Sequence, residues 1–183
     1  MSFGLGGFYT QAINKDFSRN FQMRVLSLGG ILEESDNVYI TTAVLPGYMI
    51  NNQQVPYMGV NFNVPGTASF PGSESWQVSF RCDLNLNIRE KLVNWQSSIF
   101  SAFPGETRNT GAYGPVSDSS IGKLVVHDRD GNTARAIKLF GIYPVTVGDI
   151  AYDQTGNGQP VTVDVTLAYQ WWEPADFKIS LGN

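Results

Sequence analysis

The sequence is that of a mainly β chain of the α+β class, an antiparallel β-sandwich or partly closed barrel with one packed amphipathic helix. Three observations carry this expectation. Segments alternating apolar with polar residues recur along the chain and are punctuated by Gly and Pro. One stretch, near residues 87–99, switches from a period of two to a helical stripe. The last apolar stretch, 161–171, alternates without a break.

Residues 1–7 are Gly-rich and read as a flexible N-terminal arm. Phe8–Phe17 can form a short helix with Phe8, Ala12 and Ile13 on one side. Phe21–Leu28 reads as a strand, because Phe21, Met23 and Val25 alternate with Gln22 and Arg24, and Gly29–Gly30 turns the chain. Asn37–Leu45 is a further β-branched strand that stops at Pro46–Gly47. Met58, Val60, Phe62 and Val64 then alternate with Gly59, Asn61 and Asn63 up to Pro65–Gly66. A loop containing Pro71–Gly72 joins this segment to a strand over 75–83, which predicts a hairpin between the two. On the second strand Trp76, Val78, Phe80 and Cys82 share one face, and Gln77, Ser79 and Arg81 share the other.

In NIREKLVNWQSSIF, Ile88, Leu92, Trp95 and Ile99 fall at spacings of four, three and four, a single stripe. Asn87 is placed to cap this helix, with Glu90 completing a capping box. A solitary amphipathic helix must bury its stripe, and a sheet face is the available partner. The predicted core is therefore Trp76, Val78 and Phe80 against Ile88, Leu92, Trp95 and Ile99.

Residues 101–119 lack periodicity and read as a long loop, which in a compact domain marks a functional or interface element. Ile121–His127 and Ala134–Phe140 flank DRDGN, whose Asp130–Gly131 pair favours a tight hairpin turn. GIYPVTVGD, 141–149, reads as a structured loop. In the final strand Val161, Val163, Val165, Leu167, Tyr169 and Trp171 alternate with Thr162, Asp164, Thr166, Ala168 and Gln170. At about 3.3 Å per residue it would be roughly 36 Å long. Residues 174–183 read as an irregular C-terminal tail. No repeat divides the chain, so residues 1–183 are expected to form one domain of seven or so strands.

Composition narrows the function classes. Charged residues make up 15% of the 183 residues, against roughly 25% in ordinary soluble domains. Aromatic residues reach 13%, and sparse charge with many aromatics fits a surface covered by neighbours. The net charge of −4 and the lack of any Lys/Arg run disfavour sequence-specific DNA binding, which needs phosphate neutralisation. Cys82 is the only cysteine and His127 the only histidine, so no intrachain disulfide and no Cys-based zinc site can form. The N-terminus lacks a secretory pattern and no apolar run is long enough to span a bilayer, which predicts synthesis in the cytoplasm.

Catalytic constellations are missing. The sequence has no GxGxxG before a helix, no GxxxxGK[ST], no HExxH and no GxSxG. Cys82, on the apolar face of its strand, is expected to be buried and inert. His127, beside a turn, is expected to face solvent. Asp128, Asp130 and Asn132 resemble the start of a calcium loop, but Gly131 comes one residue early and Leu139 stands where an acidic ligand is needed. Glu33, Glu34 and Asp36 read as a solvated acidic turn. Trp171–Trp172 place one indole on each sheet face, for core, an interface or sugar stacking. No catalytic residue, metal site or cofactor is predicted.

The segment WQVSFRCDLNLNIREKLVNWQ resembles the strand-then-helix unit of the tail-tube proteins of T-even-type contractile-tailed phages. LFGIYPVTVGDIAYDQTGNGQPVTVDVTLAYQWWE resembles that family's closing block, and DFSRNFQMRVLSLGG and TTAVLPG are similar to its earlier segments. The likeness runs in order from about Asp16 to Glu173. The loop at 101–119, the N-terminal arm and the tail after Glu173 depart from the pattern. A baseplate tube-initiator or a tail terminator of the same fold therefore stays open, as does a carbohydrate-binding β-sandwich.

The resemblance implies a virion structural protein whose hexameric rings stack into a hollow tube that conducts DNA during ejection. Its implied partners are further copies of itself, a sheath protein, a tape-measure protein, the baseplate and DNA passing without sequence-specific binding, with no membrane. On this reading the polar face of the last strand, Thr162, Asp164, Thr166 and Gln170, faces the lumen. The hairpin Gln53–Phe70 and the loop 101–119 make ring-to-ring contacts through Tyr57, Asn61, Asn63, Phe103 and Tyr113.

Overall fold

The computed structural model describes residues 4–15, 17–32, 34–100, 121–156 and 158–176. The predicted loop 101–119, with Phe103 and Tyr113, lies outside them. Within them the chain runs α1 (Leu5–Lys15), β1 (Met23–Ser27), β2 (Ile40–Ala43), β3 (Met49–Tyr57), β4 (Val60–Ser69), β5 (Trp76–Arg81), α2 (Asn87–Ile99), β6 (Gly122–His127), β7 (Thr133–Phe140), β8 (Tyr143–Val147), β9 (Thr162–Ala168) and β10 (Trp171–Ala175). The strands form two four-stranded antiparallel sheets, β1-β6-β7-β10 and β2-β5-β9-β8, and a separate hairpin, β3-β4. The architecture is mainly β, as the alternation predicts, and the sheets do not close into a barrel.

Alternation explains why the sheets face each other. On β5 and β9, Trp76, Val78 and Phe80 stand opposite Leu167, Val165 and Val163, and all six are buried. Leu124, Ile137 and Leu139 from the second sheet complete the same core, and α2 adds Ile88, Leu92 and Trp95. Ile99 is half-buried at its margin. Burying a large aliphatic side chain is worth about 1.5–3 kcal/mol, so these positions dominate the folding energy.

The start of α2 departs from the expected cap. Asn87 is its first helical residue, and Leu86 before it takes a left-handed φ of 56° without a side-chain cap. The carboxylate of Asp83 takes over: Oδ1 accepts from the Ile88 amide at 3.2 Å and Oδ2 accepts from Asn87 Nδ2 at 2.7 Å. A carboxylate serves the orphan Ile88 amide and the positive end of the helix together, which a neutral Asn cap cannot do.

The largest departure is in the second quarter of the chain. The turn is Met58–Gly59, with φ of 49° and 79°, and it pairs Val60–Ser69 with Met49–Tyr57 and not with 75–83. Two consecutive positive φ values define a tight hairpin turn matched to strand twist, and Gly59 makes the second one cheap. β4 runs on through Pro65–Gly66, because a two-stranded ribbon is all edge and tolerates a proline.

Residues 5–7 of the expected Gly-rich arm open α1, a helix that buries none of its residues, and Pro174 and Ala175 lie in β10 and not in an irregular tail. Tyr143–Val147, read as loop, is β8 on the edge beside β9. The predicted long last strand is two strands. Its chain changes sheets at Tyr169–Gln170, where the Tyr169 amide donates to Ser73 O at 2.8 Å and the Gln170 amide to Phe140 O at 2.9 Å. Tyr169 meets Trp76 edge to face at 6.4 Å, which anchors the corner. Gly141 lets it close, since a Cβ there would stand 2.6 Å from Gln170 Cγ.

Leu92→Ala should destabilise the chain by about 2–5 kcal/mol and Asp83→Ala by about 1 kcal/mol in denaturant unfolding. Equal, negligible effects would contradict this account of the core and of the cap.

Candidate assembly surfaces

The outer face of the β2-β5-β9-β8 sheet is polar. Thr162, Asp164 and Thr166 on β9 stand beside Arg81, Ser79 and Gln77 on β5, all turned away from the core. Ser79 Oγ donates to Asp164 Oδ1 at 2.6 Å, and Thr41 Oγ1 donates to Ser79 O at 3.0 Å. Arg81 and Asp164 give this patch one charge of each sign among hydroxyls and an amide. Gln170 does not belong to it. Ala168, which keeps the parity of Thr166, is buried, and Gln170 sits beyond it at the corner between sheets.

The β3-β4 hairpin is the second surface. Its register puts Tyr57 opposite Val60 and Val55 opposite Phe62, with Val64 next along the same side. Asn61 and Asn63, opposite Pro56 and Gln54, occupy the other side. The predicted contact residues Tyr57, Asn61 and Asn63 are thus split between an apolar and a polar face. Tyr57 is 63% and Phe62 52% exposed, and no described element covers either face. The first strand was missed in the sequence because Asn51–Gln54 is a polar run without alternation. The available signal was Met58–Gly59, a turn whose partner strand had to lie upstream.

The remaining candidates are structural. Cys82 is half-buried against the core margin, and burial followed by the neighbouring Asp83 pushes its thiol pKa up, so it is a poor nucleophile. Asp128 Oδ1 accepts from the amides of Asp130 and Asn132, which folds the suspected calcium loop into an ordinary β-turn. No group of three or more His, Cys, Asp or Glu suited to a metal occurs among the described residues. Trp171 stacks on Phe140 at 5.1 Å, and Trp172 Nε1 donates to Gly47 O at 2.8 Å while its ring meets Phe70. His127 corrects the sequence reading: it is 5% exposed, and both ring nitrogens lack a hydrogen-bond partner. The turn next to it is exposed, but β6 carries its ring inward.

A sequence model described as phage tail tube protein matches residues 12–174. The chain belongs to the phage tail tube protein family. It is 28% identical over 160 residues to the tail tube protein gp19 of Enterobacteria phage T4, covering 86% of this chain and 92% of the relative. Identity to the T6 protein of the same name is 26% over the same length. Its fold resembles a chain of the anti-feeding prophage tube-terminating cap, with a TM-score of 0.59 at 12% identity over 88% of this chain and 92% of the other. It also resembles a chain in the sheath–tube complex of an extracellular contractile injection system, PVC, with a TM-score of 0.51 at 12% identity over 98% and 100% of the two chains. This family member is a structural component of the phage tail. None of its helices is long and apolar enough to cross a membrane, among the described residues.

The thiolate is the reactive form of cysteine, so a raised pKa moves reactivity to higher pH. Modification of Cys82 by a disulfide reagent should reach half its limiting rate at a higher pH than for a free thiol. A profile displaced to lower pH would contradict the burial assigned to Cys82.

Proposed function

We propose that the chain is the repeating subunit of a hollow tail tube, forming hexameric rings that stack and conduct DNA during ejection. The observation that carries this reading is the β3-β4 hairpin, roughly 30 Å of ribbon with an uncovered apolar face. An isolated hairpin is at best marginal in water, and apolar patches of this kind mark interaction sites. Seating Val55, Tyr57, Val60 and Phe62 against the next ring removes both difficulties. Asn61 and Asn63 on the reverse face then reach the ring's polar surface.

The lumen is assigned to the outer face of the β2-β5-β9-β8 sheet, through Thr162, Asp164 and Thr166. Hydroxyls and balanced charge let a polyanion pass without the counterion release that would hold it there. The family's structural role and the lack of a catalytic constellation support a subunit that is not an enzyme. Sheath, tape-measure protein and baseplate are the further partners, with synthesis in the host cytoplasm before incorporation into the virion tail. The likeness to a tube-terminating cap favours a terminator as the second reading, whereas sequence identity to two tail tube proteins favours the repeating subunit. A single domain over residues 1–183 fits the shared core.

Negative-stain images of purified protein should contain hollow rings or tubes. Single rings that never lengthen would favour the terminator, and saturable glycan binding by a lasting monomer would favour a carbohydrate module. Val60→Lys with Phe62→Lys should leave monomer stability within about 0.5 kcal/mol of wild type yet abolish stacking. Asp164→Lys should slow DNA ejection from assembled tails, and unchanged ejection would remove the lumen assignment.

A further inference from the structure

A cleft of about 640 Å³ opens at the turn end of β6 and β7. Phe17, Ile137 and Trp172 supply apolar lining, while Lys15, Arg129 and Arg135 are exposed cations at its rim. Among the described lining residues these three cations face a single carboxylate, Asp128, whose Oδ1 accepts from the amides of Asp130 and Asn132. The Lys91–Asp36 ion pair lies elsewhere in the fold. His127, in the wall of the same cleft, is buried with both ring nitrogens unbonded. The cleft is therefore built for an aromatic or apolar group flanked by negative charge.

The chain carries such a segment at a different place. Between β8 and β9, Asp149-Ile-Ala-Tyr152-Asp153 presents two exposed carboxylates around a tyrosine that is 67% exposed. Asp153 Oδ1 accepts from the Thr155 amide at 2.8 Å and from Thr155 Oγ1 at 2.6 Å, which fixes the carboxylate in a local turn. Those hydrogen bonds hold its carboxyl below the usual range, so it is anionic at neutral pH. No residue of the loop lines the cleft of its own chain.

We propose that the Asp149–Asp153 loop of one copy seats in the His127 cleft of the next, with Tyr152 entering the apolar lining and the two aspartates meeting the basic rim. Donor and acceptor patches differ, so the contact is heterologous and propagates into a ring or filament. A phenol inside the cleft gives the His127 ring a hydrogen-bond partner once the ring turns towards it. This rests on the self-assembly reading and uses surfaces distinct from the hairpin.

Two full-length variants test it: Arg129→Glu/Arg135→Glu makes cleft and loop both acidic, and Asp149→Lys/Asp153→Lys makes both basic. Each alone should raise the critical assembly concentration at least roughly tenfold, as expected for opposed charges at an interface. An equimolar mixture should restore assembly with alternating subunits, because each cleft then meets a loop of opposite sign. Tyr152→Ala, which keeps every charge, should also weaken assembly at an unchanged unfolding midpoint. Variants that assemble like wild type, or a mixture no better than its components, would overturn this contact and leave the tube reading standing. A wild-type chain that stays monomeric at every concentration would overturn both.

Discussion

The β5-β9 ladder is the constraint on which the rest of the structure depends. Three large side chains from each strand meet in register on the core side, and a slip of one residue would exchange every one of them for Gln77, Ser79, Arg81, Thr162, Asp164 or Thr166. The same register that builds the core thus builds the polar outer face. Immediately after β5, Asp83 caps α2 and aims its stripe back at the ladder. Immediately after β9, the chain turns at Tyr169 and joins the other sheet.

Core positions were legible in the sequence because burial imposes periodicity. Trp76, Val78, Phe80, Ile88, Leu92 and Trp95 all announce themselves by spacing, and Ile99 lies at the margin where the stripe ends. Spacing carries no information about where a strand changes sheets. Residues 161–171 alternate continuously, yet the corner at Tyr169–Gln170 is imposed by backbone bonds to Ser73 and Phe140, both distant in sequence. The cap failed for a related reason: Asn87 and Asp83 are both competent acceptors, and the left-handed Leu86 decided between them.

The surfaces were harder to read than the core. Alternation in Met58–Val64 separates an apolar from a polar face, and both faces of the hairpin are exposed in the single chain. Its alternation specifies a strand, and it does not specify what covers the apolar side. His127 is the converse case, a lone polar residue beside a turn whose burial depends on how β6 meets the neighbouring strands. Gln170 was grouped with Thr162, Asp164 and Thr166 by parity alone, and the buried Ala168 interrupts that parity.

Sparse charge acquires a physical meaning once these surfaces are taken together. In the proposed stacked rings a subunit would have neighbours within its ring and along the tube, so a larger share of its surface would be desolvated than in a free monomer. Each charge placed there must be paired or pay a desolvation penalty, which keeps 15% charged residues tolerable only if most are kept at rims and loops. Arg129, Asp149 and Asp153 stand in turns or loops, and Arg135 is an exposed residue near the start of β7. The hairpin avoids the penalty differently, using uncharged Asn61, Asn63 and Gln54 opposite its apolar face. Apolar contact supplies most of the adhesion in such an assembly, and the few charges decide which surfaces meet.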